Sequence, residues 1–242
     1  MSSDLLDQIV AGMPASFADP GDDFTATREK MAPLHGHPLA ADTSVDRVDL
    51  GGVPAAWLSR PASDAARGTV LFCHGGAFVS CDASAYLFYA EFVADWVGVP
   101  VLTVDYRLAP EHRFPAALDD CATVYRALLG RGHDPGRVLC LGDSCGGGLA
   151  VATAARARDA GLPVPAGVVS LSGWTDLDTA GYAPPAPVTR DPFITEGFLR
   201  ARARDYLGDD GDPHAPDASP GRGVLAGLPP LLLQVGETDL SP

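Results

Sequence analysis

The stretch 138–150, VLCLGDSCGGGLA, decides the fold of this chain. An apolar run breaks at Gly142 into a segment rich in glycine and alanine, which predicts a strand turning directly into a helix with Gly142-Asp143-Ser144-Cys145-Gly146 on the bend. A serine on such a bend takes a strained backbone conformation, and only small neighbours let the helix pack close enough to the strand. The result is an exposed Oγ above the sheet edge, at a helix N-terminus. That is the position of a nucleophile. A glycine-rich phosphate turn is the competing reading, but the run lacks the Gly-Lys-Ser/Thr ending of a P-loop and the G-x-G-x-x-G of a dinucleotide site.

Working outward, strands and helices alternate around this bend. Residues 45–50 and 53–59 read as a hairpin about Gly51-Gly52, and 69–74 as a buried strand. Then come a helix at 83–97, a strand at 99–105, a helix at 115–129, the strand at 137–142, the helix at 146–160 and a strand at 166–172. This order implies an α/β fold, a mostly parallel sheet with helices on both faces. Beyond Trp174 the pattern dissolves into the Pro-rich TDLDTAGYAPPAPVTRDPF, a helix-like 195–206 and the acidic, turn-rich GDDGDPHAPDASPG, which reads as an insertion. A strand signal returns at 230–235 and the sequence stops seven residues later, at Pro242. Residues 1–44 hold two short helical stretches, the first with Leu5, Leu6, Ile9, Val10 and Met13 on one side, and look like an appendage to the sheet.

Composition narrows the partners. The 242 residues are 46% apolar and 20% charged, enough for a sizeable core. Lys+Arg 17 against Asp+Glu 31 leaves a net charge of −14, a surface that repels nucleic acid and anionic membranes. The five cysteines, Cys73, Cys81, Cys121, Cys140 and Cys145, have no C-x-x-C spacing, so neither a disulfide framework nor a zinc site is suggested. The acidic start MSSDLLDQIVAGM is unlike a secretory signal, and no apolar run approaches the roughly 18 residues of a membrane span. A soluble, cytoplasmic protein is expected.

A second chemical motif, His74-Gly75-Gly76-Ala77-Phe78, follows the buried strand at 69–74. Its small residues leave backbone N–H groups free to face a ligand. Acyl transfer develops negative charge on one carbonyl oxygen, and fixed amides of Gly75, Gly76 or Ala77, together with that of Cys145, are candidates to meet it as an oxyanion hole. The run 105–120, DYRLAPEHRFPAALDD, reads as scaffold: Asp105 and Arg107 are expected to pair at a strand end, Pro110 and Pro115 stiffen the loop, and Glu111 and His112 receive no proton-transfer role.

Taken together and in this order, HGGAF, DYRLAPEHRFPAALDD and GDSCGGGLA resemble the hormone-sensitive-lipase branch of the α/β-hydrolases, particularly its bacterial carboxylesterases. The likeness runs from about residue 45 to the end and includes SGWTDL, the DPF segment and GLPPLLLQVGETD. It implies an α/β-hydrolase core at 45–175 and 216–242 with a small helical cap built from residues 1–44 and 176–215. It also implies a serine esterase in which Asp239 is the acid that orients a histidine, with Glu237 its local competitor. Two positions depart from the pattern: Ala77 stands where many members carry a third glycine, and Cys145 where alanine is usual. Each still supplies a backbone N–H. The Cys145 side chain is expected to be a small buried hydrophobe.

The resemblance places the histidine about thirty residues beyond Asp239, and all six histidines here, His35, His37, His74, His112, His133 and His214, precede the acid. The expectation is an incomplete sequence lacking the last strand and helix, nearly inactive alone because loss of the base costs on the order of 10⁶ in turnover. For the complete protein, the family-implied reaction is hydrolysis of small esters with short to medium acyl chains through an acyl-enzyme, with Phe78, Trp174 and Phe193 as pocket walls. No metal or organic cofactor is needed, and full-length members pair as homodimers. The alternatives are a non-catalytic small-molecule binder of the same fold, or an amidase or lactonase.

Overall fold

Strand β3 (Thr69–Cys73) is buried at every position, because it lies inside the sheet with helices on either side. In the computed structural model, which describes residues 19, 21–34, 37–179, 191, 194–236 and 239–240, seven strands form one sheet. They are β1 (Ser44–Asp49), β2 (Pro54–Ser59), β3, β4 (Val101–Val104), β5 (Val138–Asp143), β6 (Gly167–Leu171) and β7 (Leu231–Gln234), in the spatial order β1-β2-β4-β3-β5-β6-β7. The β1/β2 hairpin and the β2/β4 pair are antiparallel, and every other pairing is parallel. The helices are α1 (Phe24–Met31), α2 (Leu87–Val97), α3 (Ala116–Gly130), α4 (Cys145–Asp159) and α5 (Glu196–Leu207).

The period-two alternation of β3 divides the core. Val70 and Phe72 pack with Ala90, Val93 and Ala94 of α2 on one face. Leu71 and Cys73 pack on the other with Leu118, Cys121 and Val124 of α3 and Leu149 of α4. The predicted alternation and the strand-to-helix bend are both present, with boundaries shifted by a few residues. The largest shift is α2, expected from residue 83 but starting at Leu87. Asp82 explains it: its carboxylate accepts the Ala85 N–H and holds a turn ahead of the helix. The stretch carrying Leu5 to Met13 lies outside the described residues.

Register is what sets the site. Cys73 of β3 pairs with Gly142 of β5, Asp143 with Leu171 of β6, and Leu171 with Gln234 of β7. The segments leaving these strands, 74–78, Ser144, 172–174 and 235–236, therefore emerge together at the carboxyl edge of the sheet, where open α/β sheets place ligands.

The run 105–120 differs in one pairing. Arg107 binds Asp120, not Asp105: its backbone N–H and Nε each donate to Oδ2 at 2.9 Å and Nη2 donates to Oδ1 at 2.8 Å. Asp120 sits on the first turns of α3, buried, and offers two oxygens to a planar fork. Asp105 instead accepts the Ala83 N–H at 3.3 Å. The run nonetheless braces the 74–78 loop, since Tyr106 donates to the His74 carbonyl at 2.7 Å and Ala109 N–H to the Phe78 carbonyl at 2.9 Å.

Arg28 of α1 reaches the same place, with Nε on the Val79 carbonyl and Nη2 on that of Ala109, while its guanidinium pairs with Glu111. Arg202 of α5 is buried and donates to Thr27 Oγ1 and the Asp22 carbonyl, joining α5 to α1. On the far side, β7 is the last strand of the described sheet, and Leu232, Leu233 and Val235 are more than half exposed. No helix among the described residues is long and apolar enough to cross a membrane.

Helix α4 crosses the end of β3 so closely that a Cβ at Gly146 would overlap the Cys73 and His74 carbonyl oxygens. Gly146→Ala is therefore expected to cost about 3 kcal/mol through backbone displacement, read as a lower urea midpoint at unchanged slope.

Candidate active site

Ser144 has φ 52 and ψ −128, left-handed for a residue with a Cβ, and it caps the N-terminus of α4. Neighbouring backbone holds it there. Its N–H donates to the Leu171 carbonyl at 3.0 Å, and its own carbonyl accepts the N–H groups of Gly147 at 3.0 Å and Trp174 at 2.8 Å. Strain of this kind, worth about 1–3 kcal/mol, persists only where the surroundings over-determine it. The tight bend also demands Gly142, whose Cβ would overlap the Gly146 carbonyl.

Ser144, Gly76, Ala77, Trp174 and Asp239 line one cavity of about 390 Å³. Met31 of α1 and Ile194, Phe198 and Leu199 in and before α5 supply much of its apolar wall. The cavity thus gathers residues far apart in sequence, from Met31 to Asp239. Trp174 lines this cavity. Phe78 is not among the lining residues: its ring stacks flat on Tyr206, centroids 3.8 Å apart, and packs behind Trp174, so aromatic contact draws it into the core. Phe193 lies outside the described residues, as does Glu237.

The 74–78 loop turns sharply. Gly76 has φ 116, and a Cβ there would overlap the Ser80 carbonyl, while the Gly76 carbonyl accepts from Ser80 N–H and Oγ. Ala77 and Phe78 are left-handed as well, at φ 53 and 66, which costs side-chain-bearing residues about 1–2 kcal/mol each. Among the described residues, the amides of Gly76, Ala77 and Cys145 donate to no other group. Gly75, unlike Gly76 and Ala77, is not among the residues that line the cavity. Donors left open beside a serine hydroxyl are suited to an oxygen that becomes negative during reaction. The Cys145 side chain points away from the cavity and accepts the Phe78 N–H at 3.2 Å. Sequence reasoning expected only an apolar filler there.

Beside the loop lies a polar layer, with His74 and Tyr106 buried and Tyr86 and Asp143 lining the cavity, that has no signature in the sequence, since its members come from four separate strands and loops. His74 stacks on Tyr106, centroids 4.1 Å apart, and its Nδ1 lies 2.6 Å from the Gly75 carbonyl. Burial pushes its pKa down to about 4, so the ring is neutral and Nδ1 is the donor. Asp143 Oδ2 accepts from Tyr86 Oη at 2.8 Å. Burial nevertheless raises its pKa to about 6 against that hydrogen bond. Asp239 accepts the Gly236 N–H at 2.9 Å within the loop after β7. No histidine is among the lining residues of the cavity, and no group of His, Cys, Asp and Glu among the described residues is placed to hold a metal ion.

Residues 70–241 match a protein family described as alpha/beta hydrolase fold. The chain is 42% identical over 195 residues to an acetyl-hydrolase of Streptomyces hygroscopicus, covering 81% of this chain and 64% of that protein. It is 34% identical over 235 residues to the esterase LipI of Mycobacterium tuberculosis, covering 90% of this chain and 72% of that one. Among solved structures, an esterase from the bacterial hormone-sensitive lipase family superposes with a TM-score of 0.88 at 36% identity, covering 99% of this chain and 81% of the other. The chain spans just under two thirds of the length of the acetyl-hydrolase it matches.

His74 and Asp143 titrate in opposing senses. Asp143 is a weaker acid folded than unfolded, so its contribution is most favourable below about pH 4 and fades as pH rises through about 6. His74 is a weaker base when folded, so its contribution is complete above about pH 6.5 and is lost as pH falls toward about 4. Asp143→Asn removes only the first. Its urea midpoint is expected to drop more steeply than the parent's between about pH 6.5 and 4.5; parallel curves would contradict this assignment.

Proposed function

Because the chain belongs to the hormone-sensitive-lipase branch of the alpha/beta-hydrolase-fold family, we propose that its complete protein hydrolyses carboxylic esters through an acyl-enzyme. Ser144 Oγ attacks the ester carbonyl and forms a tetrahedral intermediate. The C–O bond to the alcohol then breaks, leaving an acyl-serine that water hydrolyses. The Gly76 and Ala77 amides and the Cys145 N–H hold the oxyanion. Gly75 was a candidate donor too, but it is not among the residues that line the cavity.

The observation that carries this reading is the left-handed Ser144 in a cavity shared with Gly76, Ala77 and Asp239. A binder has no use for a strained hydroxyl. Asp239 is assigned to accept the Nδ1–H of a histidine that acts as base, holding its tautomer. That base is not assigned to His74, whose Nδ1 is committed to Gly75, nor to His37, which packs on Phe88, nor to His133, which stacks on Trp57. The cavity volume and its Met31, Trp174, Phe198 and Leu199 walls favour small, fairly apolar esters of short to medium chain. In this reading α1 and α5, clasped by Arg202, are the cap over the site, and 45–175 with 216–242 form the catalytic core.

Full-length protein treated with a fluorophosphonate is expected to be labelled on Ser144, and Ser144→Ala to lower turnover of p-nitrophenyl butyrate by about 10⁶. Absence of labelling with retained ligand binding would favour the non-catalytic binder. Matched ester and amide substrates separate esterase from amidase.

A further inference from the structure

Ala77 and Cys145 lie on either side of one hydrogen bond, between the Phe78 N–H and Cys145 Sγ. The first left-handed residue of the loop that bears a side chain is Ala77, where a glycine would adopt φ 53 freely, and the second is Phe78. The Phe78 N–H donates to Cys145 Sγ at 3.2 Å. An alanine at 145 would leave that amide buried without an acceptor. The thiol is fully buried, with Tyr106 Oη at 3.8 Å and the His74 carbonyl at 3.9 Å, so it touches three separate parts of the apparatus behind the loop.

We propose that the Cys145 thiol is a positioning group, which holds the left-handed Ala77-Phe78 turn in place and so fixes the Gly76 and Ala77 amides beside Ser144. The side chain acts through Phe78 and does not meet the substrate. Its work compensates for Ala77: a glycine there would reach the same conformation without strain, whereas alanine needs the loop tethered from the following residue. The tether runs from the residue after the nucleophile, so the elbow and the amide loop are held in one register. Phe78 is gripped at two further points, by the Ala109 N–H on its carbonyl and by Tyr206 on its ring, which leaves its N–H as the point that only position 145 serves. Burial pushes the Cys145 pKa up to about 12, so the group remains a neutral thiol throughout the working range of an esterase. Sulfur suits the place because it is polarisable, tolerates an apolar setting and still accepts a hydrogen bond.

This inference deepens the esterase reading and rests on it for its kinetic arm. In full-length protein, Cys145→Ala is expected to lower kcat for p-nitrophenyl butyrate about tenfold while KM stays within about twofold, the pattern of a loss confined to the transition state. Cys145→Ser, which retains an acceptor, is expected to recover part of that loss. Introduced into an Ala77→Gly background, Cys145→Ala is expected to cost less than about threefold, because the Ala77 share of the strain is gone. An equal loss in both backgrounds, or no loss in either, overturns the proposal. Hydrogen exchange at the Phe78 amide reads the bond independently of activity: Cys145→Ala is expected to speed it about tenfold or more, and an unchanged rate also overturns the proposal. If the parent turns over no ester, the esterase reading fails, and the exchange result alone decides the role of Cys145.

Discussion

The backbone of α4 presses against the carbonyl end of β3 at Gly146, and there is no room for a single methyl group between them. Close packing at this point places the N-terminus of the helix beside the loop that leaves β3. Ser144 and the Gly76-Ala77 amides share a cavity because two parallel strands end level with one another and the next helix turns back across both. Moving the helix outward would separate the hydroxyl from the donors, whatever the identities of the residues carrying them. The run of glycines after Ser144 is thus a steric requirement, imposed at Gly146 by the end of β3 and at Gly147 and Gly148 by the end of β6 and the loop after it.

Polarity behind the loop is arranged for a fixed geometry. His74 and Tyr106 are buried and hydrogen-bond back to carbonyls of the loop, and Tyr86 donates to Asp143 at the cavity wall. Buried groups of this kind are costly unless paired, and once paired they resist displacement. Preorganised donors stabilise a developing charge best when they do not reorganise to meet it. The same burial moves His74 and Asp143 in opposite directions on the pH scale, so the layer carries opposing proton linkages side by side.

Two arginines set the roof of the cavity. Arg28 fastens α1 to the carbonyls of Val79 and Ala109, and Arg202 fastens α5 to α1, so Met31, Phe198 and Leu199 face the same space as Ser144. Each guanidinium caps backbone carbonyls or hydroxyls that would otherwise be left without donors. The roof is therefore tied to the 74–80 and 105–111 segments, the ones that shape the amide loop.

Most of this was legible in residue order. The alternation of apolar runs with helical periods, the glycines around Ser144 and the HGGAF turn are local patterns, and local sterics dictate strand, bend and helix without reference to the rest of the chain. Asp239 and Trp174 were placed from the family likeness and lie in the cavity because parallel register carries β6 and β7 to the same edge. Contacts between distant segments were not legible. Arg107 had Asp105 two residues away and chose Asp120, since a helix turn offered a buried carboxylate at the right angle. Phe78 had a pocket within reach and stacked on Tyr206 instead. Cys145 became a hydrogen-bond acceptor because Phe78, sixty-seven positions earlier, brought its amide there. Patterns along the chain specify which conformations a segment adopts, whereas partner choice for a side chain is settled by which groups the packed elements bring within a few ångströms, and that is known only once all of them are in place.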